Sequence, residues 1–236
     1  KLIDEKKNII ISANEISYLK NEEKVVANGN VQLEDKSKDI TINTEQISYL
    51  KSKEHIFANG NVQLEDKSKD ITINADEISY LKNEEKVVAN GNVQLEDKSK
   101  DITINTDKIT YLKNLYKVYS EGKTEAYISS KYKFYSKDVT FLIDEMKLYS
   151  SNKTIINDDN LSTYELGSFD YEIKKEFLKG TEISIIENSS LPLGKSDKLY
   201  FSNGFFNLKN KNFKAGNTKI KLKKNLFDRP ENDPRL

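Results

Sequence analysis

The residues whose chemistry stands out in this chain come three at a time. Leu33 to Asp39, Leu64 to Asp70 and Leu95 to Asp101 each spell LEDKSKD, a carboxylate-rich run that would suggest calcium if its oxygens were spaced for it. Interleaved lysines, and the lack of a D-x-D-x-D-G or G-G-x-G-x-D pattern, make each run a solvated turn instead. NEEK at Asn21 to Lys24 reads the same way. The single histidine, His55, occupies the place that Lys24 and Lys86 hold in sister copies, inside a charged turn. A general acid or base present in only one copy of a repeat makes poor catalytic machinery. With no cysteine and no second histidine, neither a conventional triad nor a zinc site is available, so no catalytic residue, metal or cofactor is expected.

The elements that carry these runs are themselves repeated. Glu15 to Asn43 recurs unchanged at Glu77 to Asn105, with a slightly varied copy between them, giving a step of 31 residues. Self-similarity at such a step is the signature of a repeat architecture, whose function resides in an extended surface or groove. Ile16, Ile47, Ile78 and Ile109 open ISYL, ISYL, ISYL and ITYL in phase, and Gly29, Gly60 and Gly91 fall in three copies of ANGNVQLEDKSKDITIN.

Hydrophobic residues make up 36% and charged residues 32% of the 236, a balance that would favour disorder if the apolar residues were scattered. They are patterned, so the chain should fold. Lys plus Arg equals Asp plus Glu at 38 each, and the only arginines are Arg229 and Arg235, which argues against a nucleic-acid partner. Absence of cysteine excludes a disulfide framework without identifying a compartment. Lys1 stands first, and no apolar run approaches a signal peptide's core or a membrane-spanning helix, as in a mature or excised segment.

Within one copy, Ile71 and Ile73 alternate with polar residues, Ile78 and Tyr80 do so after a phase change, and Val87, Ala89, Gly91, Val93 and Leu95 keep strict alternation. Period two predicts half-buried strands, two of roughly ten residues per copy, with turns at Leu81 to Lys86 and Glu96 to Asp101. The phase change asks for a bulge or bend within Asn74 to Glu77. Asn90-Gly91 has the form of a hairpin turn, yet alternation runs through it, which favours a strand glycine. Beyond Leu112 the copies erode but the step survives: Ile109, Val139 and Phe169 are 30 apart, as are Tyr111, Phe141 and Tyr171. The roll is expected over 1–226, near-identical over 9–122 and divergent over 123–226, with 227–236 (FDRPENDPRL) a linker toward a further region.

The motif I-x-A-[DN]-x-I-x-Y followed by K-V-x-A-x-G-N-V-x-L, here Ile73 to Tyr80 with Lys86 to Leu95 and Ile11 to Tyr18 with Lys24 to Leu33, resembles the repeat of the OstA-type family of lipopolysaccharide transport proteins. That family includes the periplasmic bridge protein LptA and the N-terminal domain of the outer-membrane translocon LptD. NDPRL after the basic IKLKKNLF is similar to the junction before the barrel in some LptD sequences and favours the LptD-like member. The near-identity of the first copies and the lack of cysteine depart from the family pattern.

The resemblance implies an all-β, elongated antiparallel β-jellyroll (β-taco) with a greasy slot. It implies a periplasmic location, attached to the outer membrane, and lipopolysaccharide as cargo. It also implies Lpt bridge partners joined by edge-strand stacking, and an outer-membrane barrel with its lipoprotein plug. The inward residues expected to meet acyl chains are Ile42, Ile47, Tyr49, Val62, Leu64, Ile73, Ile78, Tyr80, Val93, Leu95, Phe141 and Phe169. The partner edge is expected at Ile10, Ile11, Ser12 and Ala13, unless that terminus frays. The competing class is a structural or adhesive β-solenoid whose inner rungs pack dry.

Overall fold

A computed structural model describes residues 1–187, 189 and 196–221. Leu222 to Leu226 and the expected linker, Phe227 to Leu236, lie outside the described residues. The chain divides into two compact units, residues 1–126 and residues 127 onward.

The first unit is made of β1 (Leu2–Asp4), β2 (Ile9–Ser12), β3 (Glu15–Leu19), β4 (Lys24–Asp35), β5 (Ile40–Leu50), β6 (His55–Asp66), β7 (Ile71–Leu81), β8 (Lys86–Asp97), β9 (Ile102–Leu112) and most of β10 (Lys117–Ile128). Each of β4 to β8 pairs antiparallel with the next. The expected two strands per copy are present, of 11 and 12 residues in β7 and β8. Alternation places Val87, Ala89, Val93 and Leu95 inside, as it does Ile71 and Ile73 and, after the phase change, Ile78 and Tyr80.

The register shift lies where the phase change required it, between Asn74 and Glu77. Gly91 is a strand residue, and it and Asn92 carry the left-handed backbone opposite that shift, with φ of 76° and 47°. The same break recurs at every long pair, so each strand has two halves. Residues 24–28, 46–50, 55–59, 77–81, 86–90 and 108–112 form one half-sheet, and residues 31–35, 40–44, 62–66, 71–75, 93–97 and 102–106 form the other. Both halves bury the same side of the chain, which is possible only if the sheet folds at the break and the two faces oppose each other. The result is an antiparallel β-jellyroll.

Turns at the free ends of the halves contain no glycine. They use one 3-10 turn closed by a left-handed residue, Glu23, Glu54, Glu85 or Tyr116 on one half-sheet. Successive turns are tied by main-chain bonds from Lys51, Lys82 and Lys113 N–H to Glu23, Glu54 and Glu85 C=O, 2.9–3.1 Å.

One expectation is overturned. Ile10 and Ile11 do not form an edge: β2 pairs with β4 on one side and, from Ile9 to Ile11, with β1 on the other, while Ser12 pairs with Gln32 of β4 and Ala13 follows the strand's end. The reason is that Leu2 to Asn8 (LIDEKKN) is itself a degraded LEDKSKD turn, one step of 31 before Leu33, and folds β1 back on β2. Among the described residues of this unit, β1 and β3 each pair on one side, and Ile3 and Tyr18 are exposed there.

In the second unit the long strands split. Short strands β11 (Tyr132–Lys137), β12 (Thr140–Leu142), β13 (Lys147–Ser150), β14 (Thr154–Asp158), β15 (Thr163–Leu166) and β16 (Ser168–Glu172) precede β17 (Phe177–Ile186), β18 (Lys198–Asn207), β19 (Asn212–Gly216) and β20 (Lys219–Lys221). β12, β13 and β16 lead to the first half of β17, and β11, β14 and β15 to its second half. The two-faced plan is kept although the Gly-Asn bulge is gone.

A Cβ at Gly91 would lie 2.9 Å from Asp76 Cβ, whereas one at Gly122, with φ of 83°, would meet nothing within 4 Å. Gly122→Ala should therefore carry only the backbone cost, about 1 kcal/mol, and Gly91→Ala roughly 2–3 kcal/mol. Urea midpoints of the two variants test the order; equal losses would remove the clash from the account.

Candidate functional site

The candidate site of the first unit is its interior. Cross-strand partners run in unbroken rows: Leu33, Ile42, Leu64, Ile73, Leu95 and Ile104 on one face, and Ala27, Ile47, Ala58, Ile78, Ala89 and Ile109 on the other. A third row places Tyr49, Tyr80 and Tyr111 between Val25, Ile56 and Val87. The ten lining residues expected in this unit, Ile42, Ile47, Tyr49, Val62, Leu64, Ile73, Ile78, Tyr80, Val93 and Leu95, are all buried, at 2% exposure or less. Phe141 and Phe169 are buried in the second unit. There Phe134, on the opposite half-sheet, lies 5.3 Å from both Phe169 and Tyr171, so large rings bridge that interior.

The sequence reading missed what closes the free ends of the faces. Asp35, Asp66 and Asp97, taken as part of solvated turns, are buried at 1% exposure or less. Tyr80 Oη donates to Asp35 Oδ2 at 2.9 Å, and Lys82 Nζ to Asp35 Oδ1 at 2.6 Å and to Ser37 Oγ at 2.5 Å. One step on, Tyr111 Oη donates to Asp66 Oδ2 at 2.7 Å, and Lys113 Nζ to Asp66 at 2.7 Å and to Ser68 Oγ at 2.5 Å. β4 and β7 are three places apart in the hydrogen-bonded order, about 14 Å within a sheet. Asp35 and Tyr80 both lie at the C-terminal ends of their strands, and because β4 and β7 run in opposite directions they belong to opposite half-sheets. Their bond must cross from one face to the other, and each such cluster is a clasp over the mouth of the roll.

The clasp is graded along the unit. At the first rung Lys51 Nζ lies 3.0 Å from Asp4 Oδ2, but the buried Tyr49 hydroxyl has no hydrogen-bond partner. Asp97 is instead held within its own turn by Ser99 Oγ at 2.8 Å and Lys100 Nζ at 2.7 Å. Outside the clasps, Lys7 pairs with Glu54 and Lys38 with Glu85, and Lys69 Nζ stands 3.6 Å from the Tyr116 ring centre. In the second unit Asp158 accepts from Lys211 Nζ at 2.7 Å and Tyr164 Oη at 3.2 Å. The signal for the buried carboxylates was present, because Val31, Leu33 and Asp35 share one phase.

His55 Nε2 lies 2.7 Å from Ser79 Oγ, away from these clusters. Among the described residues no three of His, Asp and Glu gather as a metal site would require. No helix among the described residues is long and apolar enough to cross a membrane. Neither a protein-family model nor a curated protein matches the sequence. Among solved structures, one that the chain is similar to is LptH from Pseudomonas aeruginosa, titled the LptA homologous periplasmic component of the conserved lipopolysaccharide transport device. Identity is 16% and the TM-score 0.41, over 46% of this chain and 78% of that one.

Removing the hydroxyl in Tyr80→Phe takes one charge-assisted bond from a buried carboxylate and should cost about 1.5–3 kcal/mol. Tyr49→Phe removes an orphan and should change stability by less than about 0.5 kcal/mol. Equal losses in chemical denaturation would contradict the grading. Burial, with Asp35 adding for Tyr80 and Asp4 for Tyr49, pushes these hydroxyls above the ordinary tyrosine range, and burial does the same for Tyr171. Unfolded tyrosines lose their protons near pH 10 while the native ones keep theirs, so stability is held below about pH 10 and falls above it. Urea midpoints should be level from pH 7 to 9 and fall from pH 10 upward; a rise there would reverse the sign.

Proposed function

We propose that the protein is a periplasmic lipopolysaccharide-binding and transport module of the OstA type, of the LptD-like rather than the free-standing LptA kind. It carries acyl chains between its two inward faces toward the outer membrane, while sugars and phosphates stay in water. The observation that carries this reading is the sameness of the first unit's interior: from β4 to β9 each step of 31 residues presents the same leucine and isoleucine rungs on one face and the same isoleucine and tyrosine rungs on the other. Each buried methylene of a lipid chain contributes about 0.8 kcal/mol, so equal rungs give equal affinity at each level and no deep well to stall in. The sequence motif quoted above supplies the chemical class of the cargo. Other Lpt bridge components would add to the single-sided strands β1 and β3, and an outer-membrane barrel with its lipoprotein plug would receive the cargo.

A second reading, a structural or adhesive solenoid with a dry core, is favoured by one specific observation. The inward residues of the first unit are shut from solvent and clasped. Both readings keep the fold and differ in whether the faces part.

A small diazirine amino acid at Ile78, and at outward-facing Ser79 as control, decides between them when the protein is irradiated with purified lipopolysaccharide. Adducts at Ile78 and not at Ser79 are expected; adducts at neither, with the fold intact, would leave the dry solenoid.

A further inference from the structure

An open polar cavity of about 250 Å³ lies among the turn tips of the first unit, lined by Ser37, Lys38, Ser68, Glu85, Lys113 and Tyr116. Two of these residues, Lys113 and Ser68, belong to the clasp on Asp66, so the cavity is a vestibule immediately outside it. The ammonium groups beneath are sheltered: the Lys82 side chain is 7% exposed and that of Lys113 12%, each facing a carboxylate that is fully buried. Lys38 on the rim is engaged by Glu85, and the ring of Tyr116, which also lines the cavity, is covered by Lys69.

Parting the two faces at this mouth has an asymmetric cost. Removing one partner of a buried ion pair leaves an uncompensated charge, which is strongly unfavourable. A neutral apolar guest that forces the faces apart offers Lys82 and Lys113 nothing in return. A guest with an anionic head offers them short charge-assisted bonds of the kind they lose, while Asp35 and Asp66 swing out to water with their tyrosine partners released. The turn hydroxyls Ser37 and Ser68 accept from the same ammonium groups and donate to Asp35 and Asp66, so they part from the lysines together with the carboxylates. Neither end of the unit has this arrangement, since the first rung lacks its tyrosine bond and Asp97 is answered inside its own turn.

We propose that this mouth is a lateral entrance for an amphiphile with an anionic head group, held shut by the clasps on Asp35 and Asp66 and opened when the head takes Lys82 and Lys113 from them. The inference deepens the transport reading and rests on it in one respect, that the inward faces separate to admit acyl chains.

Two dyes with one anilinonaphthalene body test it: 1-anilinonaphthalene-8-sulfonate carries an anion and N-phenyl-1-naphthylamine does not. Each is titrated against the wild type, against Asp35→Asn with Asp66→Asn, which frees the lysines, and against Tyr80→Phe with Tyr111→Phe, which weakens the clasps but keeps the ion pairs. Both variants should bind the sulfonate at least fivefold more tightly than the wild type and the neutral dye less than twofold more tightly, with an unchanged β-sheet spectrum and a cooperative melt. Equal gains for the two dyes, or no gain for either, overturn the entrance. If the asparagine pair loses its cooperative melt, the phenylalanine pair decides alone by the same criterion. Lipopolysaccharide adducts at Ile78 without a sulfonate preference would sink the entrance and leave the cargo reading standing; the preference without adducts would do the reverse.

Discussion

A carboxylate sealed from water must find a cation, and in the first unit that requirement ties the two faces of the roll together. Asp35 and Asp66 have no exposure to spare, and their partners stand 45 and 47 residues further on, across the interior. The long strands run through the fold and join the two half-sheets along one side only. The Asp-Tyr-Lys contacts join them along the other. Parting the free ends would leave both a buried carboxylate and a buried ammonium without a partner, a penalty of several kcal/mol per rung. Repeat proteins otherwise depend on nearest-neighbour packing alone. Here each clasp reaches past two intervening strands and braces the stack.

The same requirement sets the two readings of the interior against each other. Apolar rows that repeat identically suit a cargo that must move, and they equally suit dry packing, because a leucine facing a leucine and a leucine facing an acyl chain gain similar free energy per unit area. What differs is the mouth. Apolar faces alone would part or close according to how much guest is present, without regard to its head group. A polar clasp adds a condition that depends on charge. Large rings bridge the interior in the second unit, where Phe134 meets Phe169 and Tyr171, so that unit fills its core by ring-to-ring contact rather than by uniform aliphatic rungs.

Much of the fold was legible because a strand's period is two and the copies repeat it without error. Ile71, Ile73, Ile78 and Tyr80 fix both the buried side and the place where it changes phase, and the register shift at Asn74 to Glu77 follows. The inward residues were legible for the same reason. The clasps were not, because Asp35 lies in a run rich in lysine and serine whose composition is that of a solvated turn, and composition outweighed phase. The terminal strand was overlooked for a related reason. LIDEKKN keeps the leucine, the aspartate and the charged turn of LEDKSKD but shares so few letters with it that the copy is visible only at the step of 31, where Asp4 falls in register with Asp35. Splitting of strands in the second unit had no local signal beyond the loss of Gly-Asn.

Erosion of the repeat explains why the clasps are graded. A clasp needs four residues contributed by two turns, so it survives only where both turns keep the pattern. Asp35 and Asp66 find tyrosine and lysine 45 and 47 residues on. The positions so related to Asp97 hold Leu142 and Asp144, which offer neither a hydroxyl nor a cation. Asp97 is nonetheless buried, and the desolvated charge is met by the nearest available cation, Lys100 of its own turn. A local lysine satisfies the carboxylate without joining the faces, so the electrostatic requirement is met while the cross-brace is lost. At the other end Asp4 keeps its lysine, but the Tyr49 hydroxyl is left without a partner. Near-identity of the copies therefore has a physical consequence beyond length: it is what allows two adjacent rungs to be clasped in the same way, and a single diverged turn ends the series.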